Sequence, residues 1–286
     1  MLESTDPEVI MANAFNQIIG FEQVKDKIKR KTITEMETKK LQERQNVPRK
    51  SSKKPVFLLV GNPGTGKTCV AQIIGSIMHA MGLVTSNTFE TITQSSLGPA
   101  NGGKKFLEEL ETKVAGGTLF IDELHDFDRS TVFQKWLRKV AGPDYENPPL
   151  IILAGYPAGV GNKKNVDTFL AVADQGLHRR CTRNRFNLPD YTVDEIAEIF
   201  FTNVQRGHKH TGFVRYCLDF TPEKLAELMG AIPKSYLEKH NADTWTAVFD
   251  AVCEIQSMAS YKAGHNDHRF TLDMLKLAIT DLTCQA

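Results

Sequence analysis

Gly61-Asn62-Pro63-Gly64-Thr65-Gly66-Lys67-Thr68 is a glycine-punctuated run that ends in an ammonium and a hydroxyl. It fits the pattern G-x-x-x-x-G-K-[ST], whose chemistry is the cradling of a polyphosphate. Backbone N–H groups must close around the phosphates, and glycine lets the chain wrap tightly at the positive end of a helix. In that arrangement Lys67 reaches the β- and γ-phosphates as a mobile point charge, the Thr68 hydroxyl is a magnesium ligand, and Cys69 closes the phosphate-binding stretch. The plain alternative is a Gly-rich turn that merely joins a strand to a helix. The complete pattern, in a strand-to-helix context, favours a nucleoside triphosphate with Mg2+. A second signal is Thr118-Leu119-Phe120-Ile121 followed by Asp122 and Glu123. Hard cations take oxygen ligands, so Asp122 at the end of a strand would hold Mg2+ directly or through water. Glu123 would then orient and polarise the attacking water. Alone, an acidic pair after a strand reads as a solvated turn; downstream of a phosphate loop it reads as hydrolytic machinery.

These groups need a frame that delivers them to one edge. Val56–Val60, Thr118–Ile121 and residues 150–153 are continuous apolar runs rather than alternating ones, as expected of parallel strands covered by helices on both faces. The fold class expected is α/β: a P-loop NTPase parallel sheet core flanked by helices, followed by a small all-helical lid domain. Phe186 and Leu188, just before Pro189, read as a buried edge strand entering that lid. From Tyr191 onward strand signals stop and helix starts multiply: Thr192 with Glu195 as a capping box, Thr221-Pro222 as an N-cap with Pro in the first turn, and Thr271 before Asp273. Trp245, Val248, Phe249, Val252 and Ile255 share one helical face. Upstream, residues 21–45 predict a long, mostly solvated helix on Val24, Ile28 and Ile33, ending near Pro48. A basic loop, 48–55, follows, read as a solvated connector. The expected organisation is 1–54, an N-terminal helical segment and basic loop; 55–190, the ATPase core; and 191–286, the helical lid.

Composition bounds what the motifs can mean. In 286 residues, 35 Lys plus Arg stand against 34 Asp plus Glu, a formal charge of +1. No overall field draws the molecule to nucleic acid or to an anionic membrane, so neither is an expected partner. Cys69, Cys181, Cys217, Cys253 and Cys284 are odd in number, far apart and without a C-x-x-C pair. That argues against a disulfide framework or a zinc ribbon and for a cytoplasmic or other reducing intracellular compartment. The acidic start carries no basic n-region with an apolar stretch, and no apolar run approaches a membrane span. His208 with His210, and His265 with His268, have metal-like spacing but no thiolate or carboxylate cluster. The only metal expected is magnesium.

The order of Gly61-Asn62-Pro63-Gly64-Thr65-Gly66-Lys67-Thr68, Phe120-Ile121-Asp122-Glu123, Leu153-Ala154-Gly155-Tyr156 and Asp190-Tyr191-Thr192 resembles the CbbX/CfxQ branch of AAA+ ATPases. That branch holds red-type Rubisco activases and the stage V sporulation protein K group. Upstream, Ile19 and Gly20 open a segment, Ile19-Gly20-Phe21-Glu22, similar to the family's segment beside the adenine. The resemblance runs over about residues 18–203. It implies a ring-forming homo-oligomer, with ATP and Mg2+ sandwiched between neighbours, that remodels a protein partner. It also implies that Gly176-Leu177-His178-Arg179-Arg180 ends in the arginine finger, making Arg180 the candidate and Arg179 the fallback; the plain reading of both is surface charge.

Departures from the family pattern carry as much information. Leu124-His125 stands where Ala-Tyr is usual, and His125 reads as a packing or surface residue. Gly155-Tyr156 takes the place of a polar first sensor, leaving Tyr156 as a possible substitute. The aromatic pore-loop residue is missing near Gln94-Ser95-Ser96-Leu97-Gly98, which puts peptide threading in doubt. Asn241-Ala242-Asp243 occupies the place of Gly-Asn-Ala-Arg, so Asp243 would repel a γ-phosphate that an arginine would attract. Two functions follow as expectations: an ATPase that remodels a protein, in which Glu123, Lys67 and Arg180 act on the nucleotide, or a nucleotide-gated interaction module with slow or no turnover.

Overall fold

Each of the three apolar runs forms a strand, and all three are buried along their whole length. The computed structural model describes residues 6–46, 55–98, 103–128, 130–142, 145–158, 164–173, 175–263 and 268–285. The expected basic loop, except for Pro55, and His265 lie outside them. The chain divides into two units, residues 1–61 with 66–188, and residues 62–65 with 189–286.

In chain order the first unit contains α1 (Pro7–Phe15), α2 (Glu22–Arg44), β1 (Val56–Val60), α3 (Lys67–Ala80), β2 (Phe89–Ile92), α4 (Lys104–Lys113), β3 (Thr118–Ile121), α5 (Thr131–Val140), β4 (Leu150–Gly155), α6 (Val166–Val172), α7 (Gln175–Arg183) and β5 (Arg185–Asn187). The strands form one parallel sheet in the order β2-β3-β4-β1-β5. Alternation along β1 sends Val56, Leu58 and Val60 into a core shared with Leu107 and Leu110 of α4, Phe133 and Leu137 of α5 and Phe169 of α6. Phe57 and Leu59 are fully buried on the opposite face, the side on which α3 meets β1, β3 and β4. Helices on both faces explain why these strands read as unbroken apolar runs. Leu58 and Val60 of β1 register with Arg185 and Asn187 of β5, an edge strand that buries Phe186 at 5.5 Å from the Phe57 ring.

The long helix α2 differs from its sequence reading in one respect. Val24, Ile28 and Thr32 form the buried row, while Ile33 is exposed. A spacing of four keeps residues on one stripe, and the fifth step from Ile28 to Ile33 turns the last one away. Helix α1 and strand β2 carry weaker apolar patterns. The first is started by Asp6, whose side chain accepts from the Glu8 N–H at 2.9 Å with Pro7 in the first turn.

The second unit contains α8 (Val193–Arg206), β6 (Cys217–Leu218), α9 (Pro222–Met229), α10 (Lys234–His240), α11 (Thr244–Ala263), β7 (Arg269–Phe270) and α12 (Leu272–Gln285). The capping box of Thr192 and Glu195 starts α8, and Thr221 caps α9. Its core joins Ile196, Phe200, Leu225, Trp245, Val248, Val252, Leu275 and Ile279. Among its described residues the regular elements are helical except for a two-residue parallel ladder, Cys217 and Leu218 against Arg269 and Phe270. Two residues give a sequence no period to read, which is why strand signals seemed to stop at Tyr191. Among the described residues no helix is long and apolar enough to cross a membrane, and the five cysteines are free thiols.

Phe120 tests the first core. It is fully buried on β3 and stacks on Phe89 with ring centroids 6.0 Å apart. Phe120→Ala should cost about 3–5 kcal/mol, because the sheet cannot close over the lost ring. Denaturant unfolding of the two chains measures it; a loss below about 1 kcal/mol would contradict the packing.

Candidate functional site

Strand β1 ends at Val60, and the next residue turns the chain into a loop that ends as α3 begins at Lys67. Gly64 and Gly66 have φ of 70° and 71°, the left-handed region in which an L side chain is strained. Gly66 is the N-cap of α3 and no side chain caps that helix. The first-turn N–H groups of a helix have no carbonyl within the helix to bond, and the dipole there favours an anion. Thr65 is buried, and its hydroxyl donates to the Asn62 carbonyl at 2.8 Å, tightening the loop. Lys67 Nζ donates to the Gly61 carbonyl at 3.0 Å and lies 4.8 Å from the centre of the Tyr156 ring. Thr68 and Cys69 follow as exposed residues of the first helical turn. The donor set, with its glycines, its uncapped helix start and its lysine, fits a polyphosphate.

Asp122 and Glu123 follow β3 and are half-buried. The Asp122 N–H continues the ladder to the Ile92 carbonyl at 2.9 Å, which fixes where the strand ends. Glu123 adopts φ 50° and ψ 47°, a left-handed conformation costing on the order of 1–3 kcal/mol in a non-glycine residue. Local bonds hold it: its N–H donates to Asp122 Oδ1 at 2.9 Å, and its carbonyl accepts from the Asp126 N–H at 2.9 Å. Glu123 Oε1 accepts from the Tyr156 hydroxyl at 3.5 Å.

Tyr156 stands directly after β4, the strand that lies between β1 and β3 in the sheet. It therefore touches both Lys67 and Glu123. Burial, and then the neighbouring Glu123 and Asp122 carboxylates, raise its phenol above the ordinary value of 10.0, so it remains a protonated donor. His125 is buried, with its ring 5.0 Å from that of Tyr156. It packs, as the sequence reading expected, and it packs against a site residue. Gly155 makes room for this arrangement, since a Cβ there would lie 2.6 Å from Val166 Cγ2.

The remaining candidates lie in several places. Ile19 and Gly20 are half-buried ahead of α2, with Gly20 at φ 70° and Phe21 at φ 62°. Arg180 is half-buried and Arg179 exposed on α7, whose Leu177 and Cys181 face the core. Among the described residues no ion pair joins Arg180 to Asp122 or Glu123 of its own chain. In the second unit Asn241 is fully buried while Asp243 is exposed. The sequence reading singled out Asp243 and passed over Asn241. The available signal was an asparagine, a residue that tolerates positive φ, at a helix end, where it adopts φ 48°.

Residues 57–157 match the family described as "ATPase family associated with various cellular activities (AAA)". A protein CfxQ homolog of Galdieria sulphuraria is 28% identical over 207 residues, covering 69% of this chain and 64% of that protein. Stage V sporulation protein K of Bacillus subtilis is 31% identical over 152 residues, covering 50% of this chain and 44% of that protein. The chain thus spans less than two thirds of these relatives' own length. The fold resembles the solved FIGL-1 AAA domain in complex with ADP, with a TM-score of 0.62 and 16% identity, over 99% of this chain and 92% of that one.

Proposed function

We propose that this chain, which matches the AAA family over residues 57–157 and resembles CfxQ homologues and stage V sporulation protein K, binds ATP with Mg2+ on 61–68 and hydrolyses it to remodel a protein partner or assembly. One observation carries the reading: Tyr156, on the strand between β1 and β3, joins Lys67 at 4.8 Å to Glu123 at 3.5 Å. A phosphate-binding lysine and a water-polarising carboxylate are thereby held in one constellation. Gly61, Asn62, Pro63, Gly64, Thr65, Gly66, Lys67, Thr68 and Cys69 would bind the phosphates, with Ile19 and Gly20 beside the base. Thr68 and Asp122 would hold the metal. Among the described residues no three His, Cys, Asp or Glu side chains group for a metal ion. Mg2+ suits such a place because it takes one or two protein oxygens and draws the rest from water and phosphate. The bound metal would neutralise charge on the transferring phosphoryl group.

Glu123 would orient the attacking water, and Tyr156 would donate to Glu123 and hold its carboxylate in place. Tyr156→Phe should lower kcat by about tenfold while KM stays near wild type, the worth of one hydrogen bond to a charged acceptor. Steady-state kinetics decides this; a change confined to KM would remove Tyr156 from the hydrolytic step. Because its phenol is raised, no alkaline loss of activity should trace to it below its ordinary value of 10.0.

Arg180 would complete the site of a neighbouring subunit in a ring-forming homo-oligomer. The free cysteines accord with a reducing intracellular compartment. A second reading, a nucleotide-gated interaction module with slow turnover, is favoured by the exposed carboxylate of Asp243. Steady-state ATPase rate measured together with mass by light scattering, with and without ATP, separates the two. Turnover with ATP-dependent assembly supports the motor; assembly or binding without turnover supports the switch.

A further inference from the structure

We propose that Asn241 is a positioning residue for the phosphate loop, setting the direction of the loop's amides from the second unit. The inference rests on the ATP-binding reading of that loop. Asn62, Pro63, Gly64 and Thr65 group with the second unit. Within it, Asn241 Nδ2 donates to the Pro63 carbonyl at 3.1 Å, to Asp190 Oδ1 at 3.0 Å and to the Glu238 carbonyl at 3.0 Å. Its Oδ1 accepts from the Tyr191 N–H at 3.1 Å. Asp190 in turn accepts from Asn62 Nδ2 at 2.8 and 3.0 Å, through its two oxygens. The Ala242 N–H donates to the Gly64 carbonyl at 3.2 Å. The approach is so close that a Cβ on Gly64 would fall 2.2 Å from the His240 carbonyl oxygen.

Peptide units are planar and trans, so a carbonyl and the N–H bonded to it point in opposite directions. Holding the Pro63 carbonyl toward Asn241 turns the Gly64 N–H the other way, while the Thr65 N–H, opposite the Gly64 carbonyl held by Ala242, closes the loop on the Asn62 carbonyl at 3.4 Å. An amide oriented as that of Gly64 is what an anion-binding loop presents. Asn241 itself is fully buried at φ 48° and ψ −129°, a backbone conformation strained for any residue but glycine. A side chain bonded to the groups around it keeps the turn there despite that strain. Glycine would take the same backbone more easily and make none of the side-chain bonds.

That contrast gives the test. Asn241→Gly, Asn241→Asp and Lys67→Ala are compared with wild type for binding of a fluorescent ATP analogue and for thermal midpoint without nucleotide. The Asp variant keeps the acceptor for Tyr191 and turns the donor toward Pro63 and Asp190 into a carboxylate. Asn241→Gly should bind the analogue about tenfold more weakly, yet unfold at or above the wild-type midpoint, a combination that a merely structural role does not produce. Asn241→Asp should bind at least as weakly as the glycine variant. If it fails to fold, the glycine variant carries the result alone. Wild-type affinity in Asn241→Gly beside lost affinity in Lys67→Ala overturns the positioning role and leaves the phosphate loop standing. Wild-type affinity in Lys67→Ala overturns the reading of the loop itself, and the inference with it. Weak binding in Asn241→Gly with a lowered midpoint assigns Asn241 to stability and overturns the proposal.

Discussion

Lys67→Ala is expected to abolish tight ATP binding, whereas Glu123→Gln keeps binding and stops turnover. The two residues differ in what they meet: an ammonium contacts phosphate in the ground state, while a carboxylate serves the water only as it attacks. Lys67 already lies among polar and aromatic partners, the Gly61 carbonyl at 3.0 Å and the Tyr156 ring at 4.8 Å, so a mobile cation is present where phosphate would replace the carbonyl. Glutamine at 123 preserves shape and the contact with the Tyr156 hydroxyl but cannot polarise water as an anion does. Removing such a general base costs typically about 10²- to 10⁴-fold in rate. Binding is read by titration with a fluorescent ATP analogue and turnover by phosphate release. Equal affinity in wild type and Lys67→Ala would sink the assignment of the loop. Retained turnover in Glu123→Gln would move the base elsewhere.

The second large effect belongs to Arg180. Fingers of this kind contribute about 10³ to 10⁵ in rate, so Arg180→Ala should be nearly inactive while binding ATP normally. A planar guanidinium matches phosphate oxygens better than an ammonium, which makes Arg180→Lys a poor rescue. The resemblance of Gly176-Leu177-His178-Arg179-Arg180 to the family's finger segment implies that the finger would act on a neighbour. Specific activity of wild type should then rise with protein concentration. Mixing Arg180→Ala with Lys67→Ala subunits should restore part of the turnover, because some interfaces pair an intact loop with an intact finger. Concentration-independent activity, with no rescue despite confirmed co-assembly, would rule out action in trans and return Arg180 to surface charge.

The core sheet was legible because its physics is local. A strand covered on both faces must be apolar throughout, and β1, β3 and β4 are. The caps at Thr192 and Thr221 were equally readable, since a side chain and a backbone N–H a few residues away make the whole interaction. The lid ladder β6-β7 was hidden because its two-residue strands lie about fifty positions apart and carry no period. Ile33 was misread for a related reason: the sequence offers an isoleucine and a threonine side by side, and the helical angle decides which one is buried.

For the candidate site, residue types and spacing alone marked the glycine-rich loop and the acidic pair, and suggested the metal proposed there, because glycine, lysine, hydroxyl and carboxylate chemistry is written in a short run of chain. Tertiary structure decided the rest. Strand order placed Tyr156 between Lys67 and Glu123, residues 89 and 33 positions away in the chain. Chain folding carried Asn241 to the Pro63 carbonyl, 178 positions upstream. A hydrogen bond depends on distances of about 3 Å in space, and a sequence records only distances along the chain.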